Sequence, residues 1–121
     1  MRDLQIAVVG AGLIGRRHVE VICGSSQCSL CAIVDPSSGA GQFASVLGVA
    51  NFASLRDLFQ ERKPDGVILA TPNQLHAQQG IECIAAQVPA IIEKPVADTL
   101  EQGLELLQAA EAANAKILVG H

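Results

Sequence analysis

"VVGAGLIGRRH", Val8–His18, is the stretch whose reading decides the fold of this chain. Gly10, Gly12 and Gly15 stand in a G-x-G-x-x-G pattern. Glycines are common, so the pattern alone says little, and its neighbours give it meaning. The apolar run Leu4–Gly10 before it reads as a buried strand, and Leu13–Cys23 after it reads as a helix. A second apolar run, Leu30–Asp35, ends on an acid 20 residues beyond Gly15. Strand, glycine turn, helix, strand and acid at this spacing form the fingerprint of a dinucleotide site.

Each position has a physical task. Gly10 makes the tight turn, Gly12 lets a pyrophosphate approach the backbone, and Gly15 lets the helix pack on the strand. With Ala11, Leu13 and Ile14 between them, they bring the N–H groups and positive dipole of a helix start to the phosphates. Asp35 accepts hydrogen bonds from the adenosine ribose hydroxyls. A 2′-phosphate there meets like charge, and Pro36, Ser37 and Ser38 offer no arginine to clamp one, so NAD is favoured over NADP. Arg16 and Arg17 stand either near the pyrophosphate or on a solvated helix face, and the sequence leaves both open. His18, a turn into the helix, reads as structural.

Outward from this motif, strands and helices alternate to the end of the chain. Ser38–Leu47 is helical despite Gly39 and Gly41, with Gly48 ending it. Val49–Phe52 is a short strand near the sheet edge. Ser54 and Asp57 form a capping box that starts a helix to about Arg62. "GVILAT" (66–71) is the fourth strand, Asn73–Gln87 a helix, and Ala90–Glu93 the fifth strand. Asp98, with Glu101 three residues on, caps a long helix with Leu100, Leu104, Leu107 and Ala110 at helical spacing. "KILVG" (116–120) is the sixth strand. This alternation predicts an α/β fold: a doubly wound, parallel six-stranded sheet, order 3-2-1-4-5-6, with helices on both faces.

Composition supports that frame. The 121 residues are enough for one core and one domain. Half are hydrophobic, yet only three are aromatic, all Phe, so the core is aliphatic, as suits strands covered on both faces. The net charge of −4 and scattered arginines argue against a nucleic-acid partner. No apolar run approaches the about 18 residues of a membrane span, and the start shows no signal-peptide pattern, so the cytosol is the expected location. Cys28 and Cys31 form a C-x-x-C, but it leads into a strand rather than opening a helix, and no second pair completes a zinc site. The four cysteines read as reduced, packed thiols, and no metal is expected.

Ligands of open α/β sheets sit beyond the carboxyl ends of the strands. The fourth strand ends in Thr71, Pro72, Asn73 and, further on, His76; the fifth ends in Glu93, Lys94 and Pro95. A dinucleotide laid across the sheet puts adenosine by Asp35 and nicotinamide by these ends, so Lys94 points at the place where hydride moves. Taken together, "GAGLIGRRH", "VDP", "ATPNQLHA" and "EKP" resemble the glucose–fructose oxidoreductase / inositol dehydrogenase / MocA family over the whole chain. That resemblance implies an NAD(P)-dependent oxidoreductase acting on sugars, polyols or related small molecules. It implies that Gly10, Gly12, Gly15 and Asp35 bind the cofactor, and that Thr71, Pro72, Asn73 and His76 run along its central part. It also implies that Lys94 is catalytic, binding a substrate hydroxyl and assisting proton transfer, while Glu93 lies near the nicotinamide ribose. The bond before the proline is often cis in that family, and Pro95 is expected to fix the turn that aims Lys94.

The resemblance further implies a C-terminal substrate domain, carrying an Asp and a His of the active site and mediating homo-oligomer formation. Residues 1–121 correspond to the Rossmann domain alone. By itself this piece is expected to bind cofactor and turn over little or no substrate, since half a site cannot hold a near-attack geometry. A second class of function stays open: a non-enzymatic NAD(P)-sensing or regulatory protein. The intact E-K-P favours the enzyme.

Overall fold

The computed structural model describes residues 4–92, 109, 112–115 and 117–119. Its elements run β1 (Leu4–Val9), α1 (Leu13–Cys23), β2 (Cys28–Val34), α2 (Ser38–Leu47) and β3 (Ala50–Phe52). Then follow α3 (Leu55–Glu61), β4 (Gly66–Leu69), α4 (Asn73–Ala85), β5 (Ala90–Ile92) and β6 (Ile117–Val119). The six strands are parallel in the order β3-β2-β1-β4-β5-β6, as the alternation predicted.

Side-chain alternation along the strands divides the core into two layers. Val8, Ile33 and Ile68 point to one face and pack with Val19 and Ile22 of α1 and Ala40 and Ala44 of α2. Ala7, Val9, Val34, Val67, Leu69, Ala90 and Ile92 point to the other and pack with Leu55 and Leu58 of α3 and Ala77, Cys83 and Ile84 of α4. Ala109 lies against this second layer, and residues 109, 112 and 113 are helical. Burying a side chain such as Leu58 contributes about 2 kcal/mol. Among the described residues, the first face is covered less completely beyond β4. There Ile6, Val21, Ile68, Ile91 and Ile117 line an apolar groove of about 610 Å³.

Local signals account for most boundaries. Ser54 Oγ accepts the Asp57 N–H (3.2 Å), the capping interaction its spacing predicted. Gly48 ends α2 in the left-handed region at φ 72°, where a side chain is disfavoured. Three boundaries moved by two residues, one of them the end of α4, which lies at Ala85 rather than Gln87. β2 begins at Cys28 rather than Leu30, because Cys28 and Ser29 pair with Leu4 and Gln5 of β1. β4 ends at Leu69, before Ala70 and Thr71, which turn over the glycine loop. The predicted cap at Asp98, with Glu101, Leu100, Leu104, Leu107 and Ala110, lies outside the described residues.

β2 also settles the C-x-x-C motif. Its pairing with β1 slips between Ile6 and Ala7, whose partners are Leu30 and Ala32, so Cys31 is an extra residue. Cys31 packs in the layer under α3 and α4, whereas Cys28 packs in the layer under α1 and α2. The two thiols lie on opposite faces of the sheet and cannot act together. All four cysteines are free thiols. Among the described residues no group of His, Cys, Asp and Glu could hold a metal ion, and no helix is long and apolar enough to cross a membrane.

Candidate functional site

The strand order reverses between β1 and β4, and the glycine turn sits at that point. β1 is hydrogen-bonded up to the turn: Gly10 N–H donates to the Val34 carbonyl (2.8 Å) and Ala70 N–H to the Val9 carbonyl (2.8 Å). Gly10 then takes φ +99°, and a Cβ there would lie 2.7 Å from the Ala70 carbonyl oxygen. Gly15 is more constrained still, since a Cβ would fall 1.8 Å from the Gly10 carbonyl oxygen. Helix, turn and the end of β4 are therefore in direct contact, and both glycines are demanded by the protein itself.

Gly12 differs. It is the N-cap of α1, with ordinary extended backbone (φ −77°, ψ −165°), and a Cβ on it would meet nothing within 4 Å. The protein does not need a glycine here; the space beside it is open. No side chain caps α1, and its first turn carries no acid. Its first N–H groups have no intrahelical acceptor by geometry, and they carry the positive end of the helix dipole. Leu13 and Ile14 flank this opening with 72% and 51% of their surface exposed. Large apolar side chains left bare at a helix start are a surface that a ligand could cover.

Asp35 closes one side of the opening. Its Oδ2 accepts the Ala11 N–H (2.8 Å) and its Oδ1 the Ser37 N–H (2.9 Å). Partial burial pushes the carboxyl up, but these two N–H groups and the Ser37 hydroxyl outweigh it and hold the group below its ordinary value. Asp35 is therefore an oriented anion at neutral pH. An ionised carboxylate has about four acceptor positions, and these three donors leave about one for a further hydroxyl. Asn51 on β3 supports the end of β2, its Nδ2 donating to the carbonyls of Ile33 (3.1 Å) and Asp35 (3.4 Å).

On the other side, Thr71 follows β4 and its methyl group lies beside Gly10. The Thr71 hydroxyl donates to Gln79 Oε1, and its carbonyl accepts from His76 Nε2 (2.7 Å). His76 is only 1% exposed, so it lies beneath the turn rather than on the open side. The family resemblance groups it with the segment along the cofactor; in the structure it braces Thr71 from below. Pro72 is the N-cap of α4 and Asn73 its first residue. Glu93, Lys94 and Pro95 lie outside the described residues; β5, which leads to them, is described to Ile92 and pairs with β4 from Ala90 to Ile92.

The structure thus brings together Gly10, Ala11, Gly12, Leu13, Ile14, Gly15, Asp35 and the Thr71 turn. It adds participants outside the fingerprint: Ser37, Asn51, Gln79 and Phe43, whose ring centroid lies 4.2 Å from the Arg16 guanidinium carbon. Only Ser37 had a local signal, since an Asp two residues before a Ser is the sequence of an Asx turn. The rest are contacts across the fold.

Comparisons with known proteins agree with this fold. Residues 4–121 match the family model of Gfo/Idh/MocA proteins, an oxidoreductase family with an NAD-binding Rossmann fold. An inositol 2-dehydrogenase of Leifsonia xyli is 34% identical over 108 residues, covering 88% of this chain and 32% of that protein. The rhizopine catabolism protein MocA of Rhizobium meliloti is 26% identical over 121 residues, covering all of this chain and 38% of that protein. The crystal structure of the WlbA dehydrogenase from Bordetella pertussis, in complex with NADH and UDP-GlcNAcA, superposes with a TM-score of 0.92 at 31% identity. It covers 98% of this chain and 37% of that one. The chain thus spans about a third of the length of these relatives.

Proposed function

The chain belongs to the glucose–fructose oxidoreductase / inositol dehydrogenase / MocA family of NAD-binding oxidoreductases, and from that premise we propose that it is the dinucleotide-binding domain of an NAD-dependent dehydrogenase acting on a sugar, polyol or related hydroxy compound. The observation that carries the proposal is the open space over Gly12, between an uncapped helix start and an oriented, ionised Asp35. Packing demands two of the glycines but not the third, and the room beside that one suits a group that comes close to the backbone.

When bound, the nicotinamide ring supplies the acceptor or donor of the hydride. In this reading the N–H groups at the start of α1 hold the pyrophosphate, with Leu13 and Ile14 covering it. Asp35 orients the adenosine ribose and disfavours a 2′-phosphate, which makes NAD the preferred cofactor over NADP. Thr71, Pro72 and Asn73 line the central part, with His76 fixing their turn from below. Glu93 serves the nicotinamide ribose, and Lys94 Nζ holds the substrate hydroxyl and exchanges its proton as the hydride moves. Relatives about three times as long support a further domain that completes the substrate site; homo-oligomer formation through that domain rests on the family resemblance alone.

The test is a titration with NADH and, separately, NADPH, followed by nicotinamide fluorescence. The chain has no Trp or Tyr, so its own emission is low. NADH should bind more tightly than NADPH, and Asp35→Asn should narrow the difference. Binding of neither cofactor would overturn the proposal; tighter binding of NADPH would overturn the NAD preference.

A further inference from the structure

We infer that Arg16 is a positioning residue for dinucleotide binding: seated on the Phe43 ring of α2, it fixes the Ala11–Gly12 peptide and so aims the Gly12 N–H. The inference rests on the dinucleotide reading above.

Arg16 follows Gly15 in the first turns of α1 and is exposed to solvent. An exposed arginine ordinarily extends into water. This one folds back: its Nε donates to the Ala11 carbonyl (2.9 Å), and its guanidinium carbon lies 4.2 Å from the centroid of the Phe43 ring. The Ala11 N–H is meanwhile held by Asp35 (2.8 Å). Both polar groups of one loop residue are thus gripped by side chains of opposite charge, one just past the end of β2 and one on α1.

The consequence follows from peptide planarity. In a trans peptide the carbonyl of one residue and the N–H of the next point in opposite directions. Holding the Ala11 carbonyl therefore sets the direction of the Gly12 N–H. This peptide needs holding, because Gly10 and Gly12 on either side of Ala11 have no Cβ to restrict rotation. With the carbonyl fixed, the Gly12 N–H is directed before any phosphate arrives, and the ordering cost is not met at binding. Arginine suits the task because its planar group can stack on a ring and donate from its edge at once; a lysine cannot do both.

The test uses Arg16→Lys, Phe43→Leu and the double variant, each titrated with NADH and each melted without ligand. Arg16→Lys keeps the charge and loses the fork; Phe43→Leu keeps Arg16 and loses its seat. Each single variant should raise the NADH Kd about five- to thirtyfold, the scale of one newly mobile backbone residue. The double variant should fall no further than the worse single one, because both act through the same peptide. Melting temperatures without ligand should stay close to wild type for Arg16→Lys, whose side chain is exposed. Wild-type affinity in Arg16→Lys would overturn the inference and leave a plain charge effect on the phosphates. Additive losses in the double variant would also overturn it. A wild-type protein that binds no NADH would overturn the dinucleotide reading, and this inference with it.

Discussion

Gly12→Ala separates a glycine kept for a ligand from one kept for the fold. The substitution adds one methyl group where nothing lies within 4 Å, at a φ of −77° that alanine adopts without strain. Two small terms oppose each other in stability. Replacing glycine at a compatible conformation stabilises by about 0.4–1 kcal/mol through the unfolded chain. Alanine is a poorer N-cap than glycine by a comparable amount, about 0.5–1 kcal/mol. The net is near zero, and the melting temperature should move by no more than about 3–4 °C. Cofactor binding should respond very differently. The methyl group occupies the approach to the helix-start N–H groups, and losing one hydrogen bond to a charged phosphate costs about 1.5–3 kcal/mol, a Kd raised about 10- to 150-fold. Gly15→Ala is the control: its Cβ would sit 1.8 Å from the Gly10 carbonyl oxygen, so the helix must move off the turn and the fold itself should suffer. Thermal melts and NADH titrations of both variants read the two effects apart. A Gly12→Ala protein with wild-type NADH affinity would refute the reasoning, since the open space would then not be where phosphates approach.

Other consequences are equally accessible. The Asp35 carboxyl is held below its ordinary value, so its contribution to stability is present above the unfolded pKa, near 4, and is lost as pH falls through the lower folded value. Denaturation at pH 5 and pH 3 should therefore show Asp35→Asn losing less stability on acidification than wild type, and parallel losses would contradict the carboxylate's bonds to Ala11 and Ser37. His76→Ala removes a buried ring and its bond to the Thr71 carbonyl, which should cost about 2–4 kcal/mol in chemical denaturation and weaken NADH binding through the loosened turn; an unchanged midpoint would rule out the brace. Burial pushes the Cys83 thiol up to about 12 and raises Cys31 as well, while Cys23 is exposed. Iodoacetamide at pH 8 followed by mass mapping should label Cys23 first and spare Cys31 and Cys83 until the protein is unfolded; early labelling of Cys83 would contradict the packing.

What was legible in the sequence divides along a physical line. The strand order, the glycine turn and the Ser54 cap are written in local pattern, because a strand's burial, a positive φ and a capping hydroxyl each involve residues within a few positions of one another. Gly10 and Gly15 had to be glycine for any helix to leave β1 at this angle, and the fingerprint registers that need. The grip on Ala11 was not legible, because its two partners, Asp35 and the Arg16–Phe43 pair, meet only after β2 and α2 have folded against α1. Asp35 shows what this costs a pattern-based reading. Its spacing assigned it to a ribose, yet in the folded chain it also accepts the Ala11 N–H, and no local signal announces that bond. One carboxylate thus orients the glycine loop and, in the proposed reading, also holds the ribose. Replacing it by alanine disturbs both at once, so a loss of affinity in Asp35→Ala cannot by itself identify a ribose contact. The preference between NADH and NADPH can, because a disturbed loop weakens both cofactors whereas a missing negative charge favours the one with the extra phosphate.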